Sequence, residues 1–190
     1  MAASLLPKTK LLRDIIFALQ ARPEPIYLVG GYIRDWLLGR ESHDLDFAVE
    51  GEAIPIVRQI ADAFHGHFVL LDREHDTGRA IFKRKGIAYY ADFARIHGAD
   101  ILADLAARDL TLNAIAVDIK HLHMPSPPLL DPLGGQRDVQ ERLVRATSGQ
   151  AFRDDPLRLL RAVRQAAALD FCIVAETEAL VRRDAPLIVQ

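Results

Sequence analysis

The chain has 190 residues, with 24 Lys plus Arg against 26 Asp plus Glu, seven His, one Cys and 50% hydrophobic residues, a composition that excludes disorder, collagen and coiled coil. The net charge of −2 excludes a uniformly basic nucleic-acid binder. Roughly 70% of the unfolded surface of a chain this long is buried on folding, enough for one core or for one domain and the start of another. Cys172 has no internal disulfide partner and no run approaches the ~18 apolar residues of a membrane span. The opening MAASLLPKTKLLRD lacks the apolar stretch of a signal peptide, so a cytoplasmic protein with no membrane partner is expected.

Residues 10–20 place Leu11, Leu12, Ile15, Ile16 and Leu19 at helical spacing, and Pro23 and Pro25 end the run. Residues 26–30 form a short apolar strand closing on Gly30-Gly31, and 32–39 (YIRDWLLG) have helical spacing with a terminal glycine: strand, tight turn, helix. Residues 44–50 (DLDFAVE) alternate, with Leu45, Phe47 and Val49 on one face and Asp44, Asp46 and Ala48 on the other. A helix over 53–64 follows, then strands at 67–71, 78–83 and 87–93; strands outnumber crossover helices, which favours a mixed sheet over a doubly wound parallel one. From residue 99 the pattern turns helical, apart from a strand at 114–119 and the proline-rich connection HMPSPP; LLDPLGG at 129–135 is turn-rich. Asp154-Asp155-Pro156 reads as an acidic cap with Pro at the first helical position, before an apolar stripe at Leu157, Leu160, Val163 and Ala167. A last helix is expected at 176–183, and the chain ends in PLIVQ without a polar tail, as a segment cut from a longer chain would.

Two constellations carry chemistry. Asp44 and Asp46, two apart on a strand, project from one face while Leu45 and Phe47 anchor the other. Such a pair suits hard divalent cations in phosphoryl transfer, and it equally describes an exposed edge strand with acids outward. Asp92, in a strand-like YYADF, supplies a third acid if the strands are neighbours. Gly30-Gly31 at a strand-to-helix turn, with Arg34 one turn on, suits a phosphate cradle, although it matches neither established glycine-rich phosphate motif. Arg158, Arg161 and Arg164 form a basic stripe, read either as a phosphate or RNA contact or as a solvated face. His65, His67, Asp72, His75 and Asp76 lack metal-ligand spacing.

The segments YLVGGYIRDWLLGR and HDLDFAVEG resemble the glycine turn and catalytic D-x-D of the class II tRNA nucleotidyltransferase (CCA-adding) and bacterial poly(A) polymerase family. ADFAR, DLAARDLTLNAIAVD, LLDPLGGQRDVQERLVR and FRDDPLRLLRAVRQAAALDF resemble, in order, its third-carboxylate strand, its RRDFTINA, DPxGGxxDL and EDPxRxLR segments. The resemblance implies a polymerase-β-like nucleotidyltransferase head, an α/β (α+β) fold with a mixed, mainly antiparallel sheet, at residues 1–145. The start of an all-α neck would follow at 146–190.

It implies further that Asp44, Asp46 and Asp92 hold two Mg²⁺ ions and catalyse AMP or CMP transfer from ATP or CTP to an RNA 3′-hydroxyl. The RNA would be tRNA awaiting its CCA end; the alternatives are poly(A) synthesis or nucleotide and RNA binding without turnover. Gly30, Gly31 and Arg34 would contact the triphosphate, and Arg108, Asp109 and Asn113 the sugar and phosphate. Asp155 and Arg158, with Asp154 and Arg161 beside them, would read the base. Independently, a carboxylate accepting from an exocyclic amine beside an arginine donating to a ring nitrogen recognises adenine and cytosine and rejects guanine and uracil. A purely structural role, Asp154 capping the helix and pairing with Arg158, fits the same residues. Ala107, Leu110, Leu112, Asp154 and His43 depart from the family pattern. The loop expected to be flexible around 72–84 and a body absent from this chain would set base choice, and that body would supply most of the grip on RNA.

Overall fold

The computed structural model describes Pro7 and residues 9–189; the reading of residues 1–6, of Lys8 and of the final Gln190 lies outside it. Helix α1 (Lys10–Gln20) buries Leu12, Ile15, Ile16 and Leu19, the expected stripe. Strand β1 (Ile26–Val29), helix α2 (Gly31–Leu37), strand β2 (Asp44–Val49) and helix α3 (Ala53–Ala63) then follow within a residue or two of expectation. So do strands β3 (His67–Asp72), β4 (Thr77–Arg84) and β5 (Ile87–Arg95).

With β6 (Ala116–Asp118) these strands form one sheet in the order β3-β4-β5-β2-β1-β6, antiparallel throughout except for the parallel β2–β5 pair. A parallel pair requires a crossover, and α3 with the β3–β4 hairpin supplies it. One face packs on α1 and α3: Leu45, Phe47, Val49, Ala91 and Phe93 share a core with Ile15, Ile16, Ile56 and Val57. The Phe47 and Phe93 rings stack at 4.7 Å, pinning the register of β2 on β5. On the opposite face Ala48, Val29 and Ala116 are covered by Ile101 and Leu105 of α4 (Ile101–Ala106). Asp44 and Asp46 lie on that same face, two strand repeats and one before Ala48 respectively.

Beyond the sheet, a 3₁₀ turn (Thr111–Asn113), α5 (Gly135–Gln140), α6 (Ala151–Asp154), α7 (Leu157–Leu169) and α8 (Ala175–Asp184) enclose a second core of Leu110, Leu112, Val139, Val144, Phe152 and Leu159. Two-residue strands β7 (Leu143–Val144) and β8 (Cys172–Ile173) pair in parallel beneath it, too short to leave an alternation in the sequence.

Two expectations need correction. The segment 72–84, expected to hold a flexible loop, is a loop only over the short turn at 73–76; the expected strand follows as β4, paired along its whole length with β5. Asp154 does not cap α7; it ends α6, exposed, while Asp155, in extended backbone, accepts from the Leu157 N–H at 2.9 Å. The residue before a proline is held out of the helical region, so Pro156 fixes Asp155 in the capping conformation.

Candidate active site

The sheet face left open beyond α4 borders a cleft of about 1020 Å³. Its floor carries the acids. The β2–β5 register sets Asp46 directly beside Asp92, with Asp44 one repeat away beside Tyr90. Burial, and then the charge of Asp92, push the Asp46 carboxyl up to about 6 from an ordinary 3.8. The same two causes raise Asp44, against opposing pulls from Arg79 and His43.

The opposite rim is basic. Gly30 turns at φ +71°, and a Cβ there would sit 3.4 Å from Arg108 Nη1 and 3.5 Å from Asp46 Oδ2, so only glycine leaves this backbone open to a ligand between cation and carboxylate. Arg34, buried, donates to Asp35 (2.9 Å), Asn113 Oδ1 (2.8 Å) and Gln165 (3.3 Å). Asn113 Nδ2 donates to Asp109 Oδ1 at 3.5 Å, and Arg161 Nε to Asp109 Oδ2 at 2.6 Å. One chain of polar contacts thus runs from the glycine turn through the 3₁₀ segment to α7. Arg158 Nη1 donates to the carbonyls of Ala107 (3.0 Å) and Ala151 (3.3 Å), and its Nε lies 3.7 Å from Asp155 Oδ2. Arg158, Arg161 and Arg164 all face the cleft, so the stripe is a wall of the site.

The structure therefore brings Gly30, Gly31, Arg34, Asp44, Asp46, Asp92, Arg108, Asp109, Asn113, Asp155, Arg158 and Arg161 around one cleft and leaves Asp154 outside it. The histidine cluster disperses: His75 Nδ1 meets Asp72 Oδ2 at 2.7 Å, and Asp76 caps α3 through the N–H groups of Ala53 and Ile54.

Two participants escaped the sequence reading. Asp104, buried, accepts Arg108 Nε (3.1 Å) and Nη2 (2.9 Å) on one oxygen and the His97 N–H (3.0 Å) on the other, and so aims Arg108 at Gly30. Arg79 grips Asp92 with both arms, Nε to Oδ1 at 2.6 Å and Nη2 to Oδ2 at 2.7 Å. The second was within reach. Lys85 and Gly86, both at positive φ, form the two-residue turn of the β4–β5 hairpin, and counting outward from it sets Arg79 opposite Asp92.

The donor set fits a divalent cation. Three carboxylates on adjacent strands offer only hard oxygens, and half-buried Asp46 is pushed up by burial and by Asp92 more than Arg108 and Arg79 pull it down. Among the described residues no three acidic, His or Cys side chains close around a point, and Asp92 gives both oxygens to Arg79.

The mixed sheet thus presents paired carboxylates to a glycine turn and a wall of arginines. The chain belongs to the poly A polymerase head domain family, whose model matches residues 26–145. It is 46% identical over 164 residues to a CC-adding tRNA nucleotidyltransferase of Geobacter sulfurreducens (85% of this chain, 36% of that protein). It is 34% identical over 167 residues to an A-adding tRNA nucleotidyltransferase of Aquifex aeolicus (83% and 20%). Among solved structures it is similar to a Thermotoga maritima CCA-adding enzyme complexed with tRNA, with TM-score 0.75 and 33% identity over 94% of this chain and 43% of that one. A tRNA-processing enzyme with CTP gives TM-score 0.75 and 31% identity over 91% of this chain and 46% of that one. The chain thus spans less than half the length of each of these relatives. No helix among the described residues is long and apolar enough to cross a membrane.

Proposed function

We propose that this chain is the catalytic head, through residue 145, and the beginning of the helical neck of a template-independent RNA nucleotidyltransferase. It transfers CMP or AMP from CTP or ATP to the 3′-hydroxyl of tRNA in the cytoplasm. The observation that carries the reading is the juxtaposition of Asp44, Asp46 and Asp92 on one sheet face with the Gly30 turn and Arg108. The 46% identity to a CC-adding relative ranks CTP first.

Asp44, Asp46 and Asp92 would hold two Mg²⁺ ions, which supply charge neutralisation on the attacking and leaving oxygens. Everything else is positioning by the chain. The open backbone at Gly30, with Arg34 and Arg108, binds the triphosphate; Asn113 and Asp109 hold Arg34 and Arg161 in place. The primer 3′-oxygen attacks the α-phosphorus as Asp92 helps draw off its proton, the bond to the β-phosphate breaks, and pyrophosphate leaves. Asp155 accepts from the exocyclic amine of the base, and Arg158, fixed by two carbonyls, donates to the ring nitrogen.

Titration calorimetry with each of the four nucleoside triphosphates in Mg²⁺ tests this reading. CTP, ATP or both are expected to bind at least about tenfold tighter than GTP or UTP, a difference of about 1.4 kcal/mol, and Asp155→Ala to erase the preference. Equal binding of all four by the unaltered protein rejects it. Asp104→Ala separates the two halves of the pocket: with Arg108 unanchored, nucleotide affinity is expected to fall about tenfold while base preference persists. Loss of base preference in that variant would show that Asp104 does more than aim Arg108.

A further inference from the structure

We infer that Arg79 is a latch on the third carboxylate: it holds Asp92 in the metal-free protein, and Asp92 exchanges it for a divalent cation when the site loads, releasing the guanidinium to the nucleotide's phosphates. The inference rests on the nucleotidyltransferase reading above and names a positioning residue within it.

Three observations lead there. First, the fork is complete, since two arms of Arg79 meet both oxygens of Asp92 at 2.6 and 2.7 Å, the strongest geometry a carboxylate and a side-chain cation adopt. Mg²⁺ binds a carboxylate oxygen at about 2.0–2.1 Å, so a cation seated on Asp92 stands within a few ångströms of the guanidinium, and like charges that close oppose one another. Asp92 cannot serve both fully. Second, Arg79 stands where a counter-charge is needed. It is the cross-strand neighbour of Asp92, and its charge also acts on Asp44 and Asp46, opposing the repulsion among three acids on adjacent strands. Without a cation it does the work that a bound cation would take over. Third, Arg79 is able to leave. Its side chain is 37% exposed, spans the Tyr90 ring with its guanidinium carbon 5.3 Å from the ring centre, and faces the cleft. A rotation of this exposed side chain carries the guanidinium off Asp92 and into the cleft, where a bound triphosphate would offer anionic acceptors to its N–H groups.

The test reads metal binding without catalysis. Mn²⁺ alone is titrated against the protein and free Mn²⁺ followed by electron paramagnetic resonance, for the unaltered protein and for Arg79→Lys, Arg79→Gln and Asp46→Asn. Lysine keeps the charge and loses the fork, so Arg79→Lys is expected to bind Mn²⁺ about fivefold tighter, and Arg79→Gln tighter still. A purely electrostatic role predicts unaltered affinity for the lysine variant. A merely structural role predicts a lower melting temperature with unaltered Mn²⁺ affinity in both Arg79 variants; either outcome overturns the latch. Asp46→Asn keeps the two failures apart. If it loses Mn²⁺ binding while Arg79→Lys matches the unaltered protein, only the latch falls. If Asp46→Asn itself binds Mn²⁺ normally, the cation is not held by these carboxylates and the reading beneath the latch falls with it.

Discussion

Asp46→Asn is expected to reduce nucleotide incorporation by the intact gene product by at least about a thousandfold while raising the stability of the metal-free protein at pH 8. Both effects have one source. Burial and the neighbouring charge of Asp92 lift the Asp46 carboxyl from 3.8 to about 6, so the folded state favours its protonated form. Stability from this group is therefore fully present below about pH 4 and is lost as pH rises through about 6, where the ionised carboxylate remains half-buried beside another acid. At about 1.4 kcal/mol per pH unit the charged form costs the fold up to about 3 kcal/mol at pH 8, of which asparagine, matching its shape, should recover about 1–2 kcal/mol. In a chain this long that is a rise of about 3–6 °C in melting temperature, shrinking to nothing near pH 4. A divalent cation reverses the balance, since it binds the ionised form and releases a proton, so Mg²⁺ should stabilise the unaltered protein increasingly from pH 5 to 8 and leave the variant unmoved. Thermal melts at pH 4 and pH 8 with and without metal check the whole pattern, and a variant less stable than the unaltered protein at pH 8 would reject the cause given for the shift.

What the sequence carried and what it withheld follow the same physical divide. Local periodicities and short apolar runs were sufficient for α1, α3 and the five strands from β1 to β5; α1, α3, β2, β4 and β5 each bury a stripe or an alternate face against a single core, whereas β3 is largely exposed. The alternation in DLDFAV likewise assigned Asp44 and Asp46 to one face before any pairing was known. The partnership of Asp46 with Asp92 is different in kind: it depends on a parallel pairing of strands 46 residues apart, aligned by two phenylalanines on the opposite face, and only the resemblance to a family could supply it. The hairpin turn at Lys85-Gly86 did encode Arg79 opposite Asp92, yet an arginine on a half-buried strand gives no sign of its purpose until the acid it meets is known to matter. The choice between Asp154 and Asp155 as the cap turned on the conformational rule for the residue before a proline, a local constraint stronger than the pairing with Arg158 that suggested Asp154. The short strands β7 and β8 and the core they serve are set by tertiary packing and have no local signature.

The glycine pair in LLDPLGG offers the sharpest test of how packing reaches the site. Gly134 lies in the left-handed region at φ +73° with open space where a Cβ would go. Alanine there costs only backbone strain, about 1–2 kcal/mol. Gly135 has an ordinary φ but no room: its Cβ would lie 2.1 Å from the Thr111 carbonyl oxygen, 2.9 Å from the carbonyl carbon and 3.0 Å from Ile115 Cγ1. Neither side yields easily. Asp131 caps α5 by accepting from the Gly135 N–H (2.6 Å) and the Gln136 N–H (2.9 Å). Across the contact, the Thr111 hydroxyl donates to Asp138 Oδ2 at 2.6 Å, and Asp138 in turn accepts from Arg145. Gly135→Ala must therefore drive two backbones apart and is expected to cost at least about 3 kcal/mol, the upper range for overpacking, a fall of about 6–12 °C in melting temperature. The displaced 3₁₀ turn carries Asn113, which fixes Arg34, so nucleotide binding measured below the melting transition should weaken in Gly135→Ala and stay normal in Gly134→Ala. If the two alanine variants lose equal stability and bind nucleotide alike, close approach of α5 to the Thr111 turn is not what holds Asn113 and Arg34 at the cleft.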